Sequence, residues 1–486
     1  MPGPKALASL TYAVRVPVVL KYVGQLAITL AAFAAVPAMA GLVLGEAVVG
    51  LYFAAAAAVL CAAGALLARL PRPESIQANE ALIITACVYL LAAAAFATPF
   101  MLAGVPAADA LFESVSGVTT TGLSTLRSVE DLPRTLVFAR AWMQFFGGLG
   151  IVVLSLALLV RHDFAARRLV EPASPAEHLA TTTRTFALRV SGVYLALAAF
   201  GIALLLSLGI DLYDAVTYAL AGVATGGFSP ADDSIAGLGR PAQYGVLALG
   251  LLGAVSLPLY RRAVAGDWRG ALGDRELLAL VAMVALVTAV LWLLGTQSGT
   301  PLDRGEHFML AISAQTTTGF TPADLQALDP ASKLTLMVSM AIGGSVGSTA
   351  GGVKLLRLLM IFAVLGLMFR RLCLKPHAVA ELHVAGRTVE APEANGALAL
   401  VLLFLAAAIA SWLPFLAAGH APLDALFEVV SALGTVGLTT GVASAELSPA
   451  LKAVLAFDML LGRVEFVAML MLLYPSTWFG RRATLQ

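Results

Sequence analysis

The sequence is poor in charged residues, and this shortage excludes most soluble folds. Only 12% of its 486 residues are charged, whereas 60% are hydrophobic. A water-soluble domain usually carries about twice that charged fraction. The composition therefore predicts an integral membrane protein.

Cysteine and histidine are also scarce. Cys61, Cys87 and Cys373 are scattered singly, which argues against a disulfide framework or a cysteine metal site. His377 and His383 have a spacing that fits no usual metal pair. The sequence shows no intramembrane histidine cluster and no paired catalytic aspartates. We therefore predict that the chain is not an enzyme, holds no organic cofactor and binds no nucleic acid.

Uncharged runs long enough to cross a bilayer recur along the chain. Nine are uninterrupted, and a tenth apolar segment contains Asp458, Arg463 and Glu465. The ten predicted spans are 22–45, 47–68, 81–108, 141–160, 190–210, 241–260, 277–302, 334–353, 394–423 and about 451–480. An even number of spans places both termini on the same side of the membrane.

Lysine and arginine set the predicted orientation, because basic residues concentrate in cytoplasmic segments. With the N-terminus inside, the inner segments hold 22 of the 30 basic residues. We therefore predict a multi-pass protein of the cell (inner or plasma) membrane, in contact with lipid, with both termini cytoplasmic. The outer face has more acids than bases, which would concentrate cations near a pore mouth.

A fourfold internal repeat lies in the predicted outer segments. Each copy has an acid, a short apolar stretch and a Thr/Gly cluster. The acid-to-glycine distance is 13 residues in all four copies. The four pairs are Asp109 and Gly122, Asp214 and Gly227, Glu306 and Gly319, and Asp424 and Gly437.

The stretch between acid and glycine is too short to span a membrane. About ten residues form a helix of roughly 15 Å, half the thickness of a bilayer. The acid suits the N-terminus of such a half-helix, where it caps free N–H groups. The Thr/Gly cluster then follows the C-terminal end, whose free carbonyl groups favour a cation.

Glycine permits a backbone with positive φ, which lets successive carbonyl groups face one axis. Four such segments form a ring of carbonyl oxygens that can replace the water around an ion. Re-entrant loops that merely pack are the alternative, but packing does not demand a glycine at one fixed offset. The predicted filter residues are Thr120, Thr121, Gly122, Thr225, Gly226, Gly227, Thr317, Thr318, Gly319, Thr435, Val436 and Gly437.

The second long span of the third repeat contains five glycines within residues 343–352. Each glycine weakens a helix by roughly 1 kcal/mol relative to alanine, so we predict a broken, mobile intramembrane loop below the filter. Packing of small residues between helices is the alternative. The predicted gate residues are Gly343, Gly344, Ser345, Gly347, Ser348, Thr349, Gly351, Gly352 and Arg463.

Each basic residue near this loop has both a functional and a structural interpretation. Arg463 lies inside a span and would raise an electrostatic barrier in a cation path. An ion pair with Glu465 or Asp458, or snorkelling, is the structural alternative. Lys354 and Arg357 follow the loop in the sequence. They are predicted either to contact a partner or simply to fix the membrane topology.

Glycines also recur in the spans that follow the filter segments. They are Gly147, Gly253, Gly344 and Gly462. Each one allows either a kink or a close helix approach. Separately, the mixed polar segment 370–393 is a candidate for a small cytoplasmic hairpin and a docking surface.

The combined motifs resemble the Trk/Ktr/HKT superfamily of potassium transporters. The resemblance rests on the four Thr/Gly segments, the glycine-rich loop and segment 459–466, and it covers nearly the whole chain. Two spans before the first repeat are similar to the TrkH branch. Gly226 and Val436 stand where repeats one and three have Thr121 and Thr318, so discrimination of K⁺ from Na⁺ follows from the resemblance alone.

The resemblance implies an all-α fold of four helix–half-helix–helix (M1–P–M2) repeats in pseudo-fourfold arrangement around one pore. It also implies a homodimer and a cytoplasmic TrkA-like regulatory subunit that carries the nucleotide. The expected units are two N-terminal helices in 1–75 and repeats in 76–170, 171–270, 271–390 and 391–486. The predicted function is potassium uptake, with K⁺ as the transported ion. The alternatives are a Na⁺- or H⁺-coupled K⁺ symporter and a weakly selective K⁺/Na⁺ pathway.

Overall fold

The computed structural model describes residues 13–71, 76–162, 179–299, 302–373, 382–384, 387–464 and 466–479. Helices dominate this part of the chain, which confirms the predicted all-helical membrane fold. His377 and Glu465 lie outside the described residues. An ion pair between Arg463 and Glu465 therefore stays a prediction.

The first half of the chain contains two long leading helices and two repeats. The leading helices are α1 (Val16–Val43) and α2 (Ala47–Ala68). The first repeat contains α3 (Ala78–Leu102), α4 (Ala107–Val118) and α5 (Arg134–His162). The second contains α6 (Leu179–Ser207), α7 (Leu212–Val223), α8 (Arg240–Ala254), α9 (Leu257–Val264) and α10 (Trp268–Leu272).

The second half repeats the order of long helix, short helix and long helix. The third repeat contains α11 (Arg275–Ser298), α12 (Arg304–Gln315), α13 (Pro330–Ile342) and α14 (Leu355–Cys373). The fourth contains α15 (Ala391–Ala417), α16 (Pro422–Leu433), α17 (Pro449–Val464), α18 (Phe466–Leu473) and α19 (Pro475–Phe479).

A small hairpin lies between these repeats. Strand β1 (His383–Val384) pairs with strand β2 (Arg387–Thr388) in antiparallel register, with Val384 opposite Arg387. The hairpin predicted within segment 370–393 is therefore present. Residues 374–381 and 385–386 of that segment lie outside the described part.

Six helices in the described chain are long and apolar enough to cross a membrane: α1, α2, α3, α6, α11 and α15. The pair α8–α9 passes the same test but is bent by 90°. The other predicted spans correspond to α5, to α13–α14 and to α17–α18. As spans, these three stay predictions.

The predicted span over 241–260 is broken by a sharp bend. Helix α8 ends at Ala254, Val255 is extended, and α9 starts at Leu257 with a proline in its first turn. Proline has no N–H to continue the preceding helix. The N–H of Leu257 instead donates to the Gly347 carbonyl (3.0 Å), so the break contacts the glycine-rich segment.

The four short helices form the centre of the bundle, and the long helices surround them. Phe112, Met309 and Phe427 on the short helices are at most 1% exposed. Leu51 and Leu402 on the long helices are 65% and 58% exposed. Large exposed apolar side chains on a multi-span bundle are typical of a lipid-facing surface.

Candidate functional site

The chain adopts the same unusual backbone after each short helix. The threonine two residues before each repeat glycine has a left-handed backbone, which is uncommon outside glycine. The φ values are 54° at Thr120, 51° at Thr225, 53° at Thr317 and 48° at Thr435. The repeat glycines follow with φ of 93° at Gly122, 80° at Gly227, 79° at Gly319 and 93° at Gly437. Local strain repeated four times indicates a shared functional geometry.

These four segments close into a ring. A Cβ atom placed on each repeat glycine would collide with a carbonyl oxygen of the next segment. The pairs are Gly122 with the Gly226 oxygen, Gly227 with that of Thr318, Gly319 with that of Val436, and Gly437 with that of Thr121. The order of contacts runs from the first segment to the fourth and back to the first. Close backbone approach therefore explains why glycine recurs at one offset.

The amide groups of the ring point back toward the short helices. The N–H groups before the repeat glycines donate to helix carbonyl oxygens, each at 2.9 Å. The bonds are Thr121 to Ser116, Gly226 to Ala221, Thr318 to Ser313 and Val436 to Ser431. This pairing leaves the carbonyl oxygens of the ring facing away from the helices.

The carbonyl oxygens of the ring have few donors. Within the described residues, no backbone N–H donates to the carbonyl oxygens of Thr121, Thr318 or Val436, and these residues are fully buried. The buried hydroxyls of Thr120 and Thr435 also have no partner in the described part of the chain. Buried oxygens without donors are rare because they are costly. A dehydrated cation is the chemical group that such oxygens suit.

Gln144 supports the ring from behind, and it was not predicted as a site residue. Its Nε2 donates to the Gly226 carbonyl (2.6 Å), and its Oε1 accepts from the Phe228 N–H (3.1 Å). Its position three residues before Gly147 in an apolar span was the available signal. In the first and fourth repeats, Ser116 and Ser431 hydroxyls accept the N–H of the repeat glycine instead.

The predicted N-terminal acids lie in the first turn of each short helix, at its third residue. The caps are other residues, namely Pro106, Asp211, Asp303 and Ala421. Only Glu306 joins a capping box, with Asp303. The expectation that all four acids cap their helices is therefore wrong, because the cap position lies three residues earlier.

Three acids instead contact a base from the preceding repeat in the ring. Lys452 Nζ lies 2.5 Å from Asp109 Oδ1, Lys333 Nζ lies 2.8 Å from Asp424 Oδ1, and Arg240 Nη2 lies 2.9 Å from Glu306 Oε1. At the remaining junction, Arg134 stacks over the Tyr213 ring (4.1 Å), next to Asp214 in the chain. We call these contacts the junction pairs. They link the second long helix of each repeat to the next short helix.

The mid-span glycines allow close approach to the short helices. A Cβ on Gly147, Gly253 or Gly462 would collide with the carbonyl of Val118, Val223 or Leu433, each the last residue of a short helix. Gly253 also lies just before the bend after α8. Gly344 differs, since a Cβ added there would collide with the Ala350 side chain and not with a short helix.

The predicted helix break in the third repeat is present. Helix α13 ends at Ile342 and α14 begins at Leu355, and residues 343–354 between them form an irregular loop. Thr349 donates from its N–H to the Gly253 carbonyl (3.1 Å) and from Oγ1 to the Val223 carbonyl (3.0 Å). The Gly351 N–H donates to Thr317 Oγ1 (2.7 Å). The loop therefore lies against the ring where the short helices end.

Two further polar side chains hold this loop, and neither was predicted as a site residue. Glu276 Oε1 accepts from the Val346 N–H (2.7 Å). Gln315 Nε2 donates to the Gly343 carbonyl (2.7 Å), and its Oε1 accepts from Ser339 (2.8 Å).

Arg463 is buried, 3% exposed, and contacts the loop directly. Its Nη1 donates to the Thr349 carbonyl (2.8 Å), and its Nη2 lies 3.5 Å from the Gly147 carbonyl. Asp458 accepts from Ser411 (2.7 Å) and, within the described residues, forms no ion pair with Arg463. The predicted pairing of Asp458 with Arg463 is therefore wrong.

Lys354 and Arg357 bind backbone carbonyl groups at the end of the loop. Lys354 Nζ donates to the Ala350 carbonyl, and Arg357 Nη1 donates to that of Val353 (3.2 Å). Lys354 also has a left-handed backbone, with φ of 81°. These contacts brace the loop, and a role in partner binding stays a prediction.

A bundle of apolar helices that encloses a ring of donor-poor carbonyl oxygens is the architecture of a membrane cation transporter. The sequence profile of the TrkH family, described as a cation transport protein, matches residues 52–269 and 275–478. The chain belongs to the TrkH family.

Characterised and uncharacterised relatives agree with this assignment. The Trk system potassium uptake protein TrkH of Escherichia coli K12 is 29% identical over 427 residues, covering 83% of this chain and 86% of that protein. Potassium uptake protein TrkI of Halomonas elongata is 28% identical, covering 95% and 96%. An uncharacterized cation transporter of Methanocaldococcus jannaschii is 26% identical, covering 84% and 85%.

The fold also matches a solved structure. The crystal structure of the potassium transporter TrkH from Vibrio parahaemolyticus superposes with a TM-score of 0.83 at 24% identity, covering 96% of this chain and all of that chain. The two proteins therefore share one architecture.

Proposed function

We propose that this chain is the pore-forming membrane subunit of a potassium uptake system. The observation that carries the proposal is the closed ring of four segments, each with a left-handed threonine and glycine. In it, carbonyl oxygens of the twelve filter residues replace the hydration shell of K⁺. Relatives described as potassium uptake proteins support the choice of ion.

The helix dipoles add to this binding. Each short helix ends at the ring, so the negative end of its dipole faces the ion. The ring carries no carboxylate, so an ion held there remains weakly enough bound to leave. Because Gly226 and Val436 stand where the other two repeats have threonine, the ring has two fewer threonine hydroxyls. Competition between K⁺ and Na⁺ for uptake measures the resulting selectivity.

The loop of residues 343–354 serves as the gate in this proposal. It contacts the end of a short helix through Thr349 and the ring through Gly351, and Arg463 binds it with a buried positive charge. A cation leaving the ring would meet both the loop and this charge. Opening requires those hydrogen bonds to break, at about 1 kcal/mol each.

In the proposed system, a cytoplasmic subunit regulates the gate. Lys354, Arg357 and the hairpin formed by β1 and β2 follow the loop in sequence and belong to one predicted inner segment. A TrkA-like nucleotide-binding subunit would dock there, pull α14 and so move the loop. The functional unit is a homodimer with both termini cytoplasmic.

The test is uptake of ⁸⁶Rb⁺ into liposomes that contain the purified chain, with and without the cytoplasmic partner. Gly319→Ala places a methyl group against the Val436 carbonyl and should abolish uptake. Gly209→Ala is the matched control. Gly209 has a similar φ of 86° with nothing within 4 Å of the added carbon, so it introduces equal backbone strain away from the ring.

The outcomes separate the alternatives. Uptake blocked by K⁺ but little by Na⁺ establishes a selective potassium pathway. Equal block by both ions identifies a weakly selective pathway. Uptake that collapses without a Na⁺ or proton gradient identifies coupled symport, with Asp458 the first residue to substitute. Normal uptake in Gly319→Ala would overturn the ring as the ion path.

A further inference from the structure

A side pocket of about 570 Å³ lies between α1, α3 and α5. Its walls are mostly apolar and include Leu30, Phe33, Val88 and Phe146. The pocket is open on one side, and Leu26 at its edge is 39% exposed. Pockets that hold small ligands have volumes of roughly 300–1,000 Å³, so this one is large enough to hold a ligand.

The pocket lies at the depth of the membrane interior. Its inner wall includes Val118, the last residue of the half-length helix α4, and Gly147 in the middle of α5. Its side walls belong to α1 and α3, which are both long and apolar enough to span a membrane. At this depth the surrounding solvent is hydrocarbon.

The pocket offers little to a polar ligand. The Thr85 hydroxyl donates to the Ala81 carbonyl of its own helix (2.9 Å). The Tyr89 hydroxyl donates to the Gly147 carbonyl (2.8 Å). Apolar cavities do not retain water, so a ligand that fits this pocket is apolar.

We propose that this pocket binds an acyl chain of a membrane phospholipid. The bilayer supplies acyl chains at the open side, at the depth where the pocket lies. Tyr22 and Gln25 line the end of the pocket nearest the start of α1. Tyrosine is enriched at membrane interfaces, so the headgroup lies at that end and the chain extends inward toward Val118.

The occupied pocket would adjoin the gate. The Gly147 carbonyl that accepts from Tyr89 also lies 3.5 Å from Arg463 Nη2. The bound chain therefore packs against the wall that positions the loop-binding arginine. Acyl-chain binding itself does not depend on the proposed transport function.

Photolabelling tests the proposal with the full chain in liposomes. The probe is phosphatidylglycerol with a diazirine in one acyl chain, and labelled peptides are mapped by mass spectrometry. Gly150→Leu fills the pocket, because a Cβ on Gly150 lies 3.5 Å from the Tyr89 hydroxyl and the rest of the side chain extends into the space. Gly192→Leu on α6 is the matched control, since nothing lies within 4 Å of its added carbon.

We expect label on residues 22–33 and 81–92 of the unmodified chain and of Gly192→Leu. In Gly150→Leu the label there should fall about tenfold, because a packed interior excludes the chain, while label elsewhere persists. Ala92→Leu is the second filling variant if Gly150→Leu does not fold. Equal labelling in filled and control proteins would overturn the proposal. So would crosslinking between two copies through cysteines placed at Leu26, which would identify a second copy as the occupant.

Discussion

Two junction pairs have the same combination of charges but differ in exposure, chiefly at the basic side chain. Between the fourth and first repeats, the Lys452 and Asp109 side chains are 6% and 13% exposed. Between the second and third, the Arg240 and Glu306 side chains are 45% and 18% exposed. Equivalent positions in a repeated fold therefore need not contribute equally to stability.

Neighbouring hydrogen-bond partners increase the difference in strength between these two junction pairs. Asp109 also accepts from the Thr125 hydroxyl (2.6 Å), and Lys452 also donates to the Ala445 carbonyl (2.9 Å). Both charges of the buried pair thus depend on fixed partners. Arg240 shares its charge between Glu306 and the exposed Asp303 (2.7 Å), and water can replace either contact.

The largest effect is expected from Lys452→Met. The substitution leaves Asp109 buried without its cation, and breaking a buried pair costs about 3–5 kcal/mol. The melting temperature of the detergent-purified protein should fall strongly. The matched double variant Lys452→Met/Asp109→Leu removes both charges and should recover most of that loss. A double variant as unstable as the single one would show that burial does not set the strength of this junction.

Lys333→Met should destabilise the protein by an intermediate amount, and it tests whether exposure ranks the junction pairs. The Lys333 and Asp424 side chains are 9% and 29% exposed, so water reaches the acid once its partner is removed. The loss in unfolding free energy should be about 1–3 kcal/mol, between the values for buried and exposed pairs. Thermal unfolding beside Lys452→Met measures it. A loss larger than that of Lys452→Met would contradict the ranking by exposure.

The sequence predicted the four short helices and their repeat glycines but not the junction pairs, and the reason is geometric. The acid-to-glycine distance is local and fixed at 13 residues, so each short helix and the glycine that follows it could be inferred directly. The distance from each acid to the base that opens the next helix rises from 25 to 28 along the repeats. Each base also pairs with the acid of another repeat, as Lys452 does with Asp109, 343 residues away. No spacing rule reveals such a contact.

The glycine-rich loop shows the same division between local and distant information. Its five glycines predicted the break between Ile342 and Leu355, because glycine density weakens a helix locally. Its contacts with Glu276, Gln315 and Arg463 depend on elements far away in sequence. The bend after Ala254 was missed because its stabilising partner, the Gly347 carbonyl, also lies on the loop.

The smallest effect is expected from Arg240→Met. Exposed ion pairs contribute about 0–1 kcal/mol, so the melting temperature should change little. Raising the salt concentration should reduce the difference in melting temperature between Arg240→Met and the unmodified protein still further, because salt screens exposed charges far more than buried ones. Lys452→Met should keep its deficit in the same salt series. If Arg240→Met proved as damaging as Lys452→Met at every salt concentration, the junction pairs would act as one cooperative ring, and exposure would not determine their individual strengths.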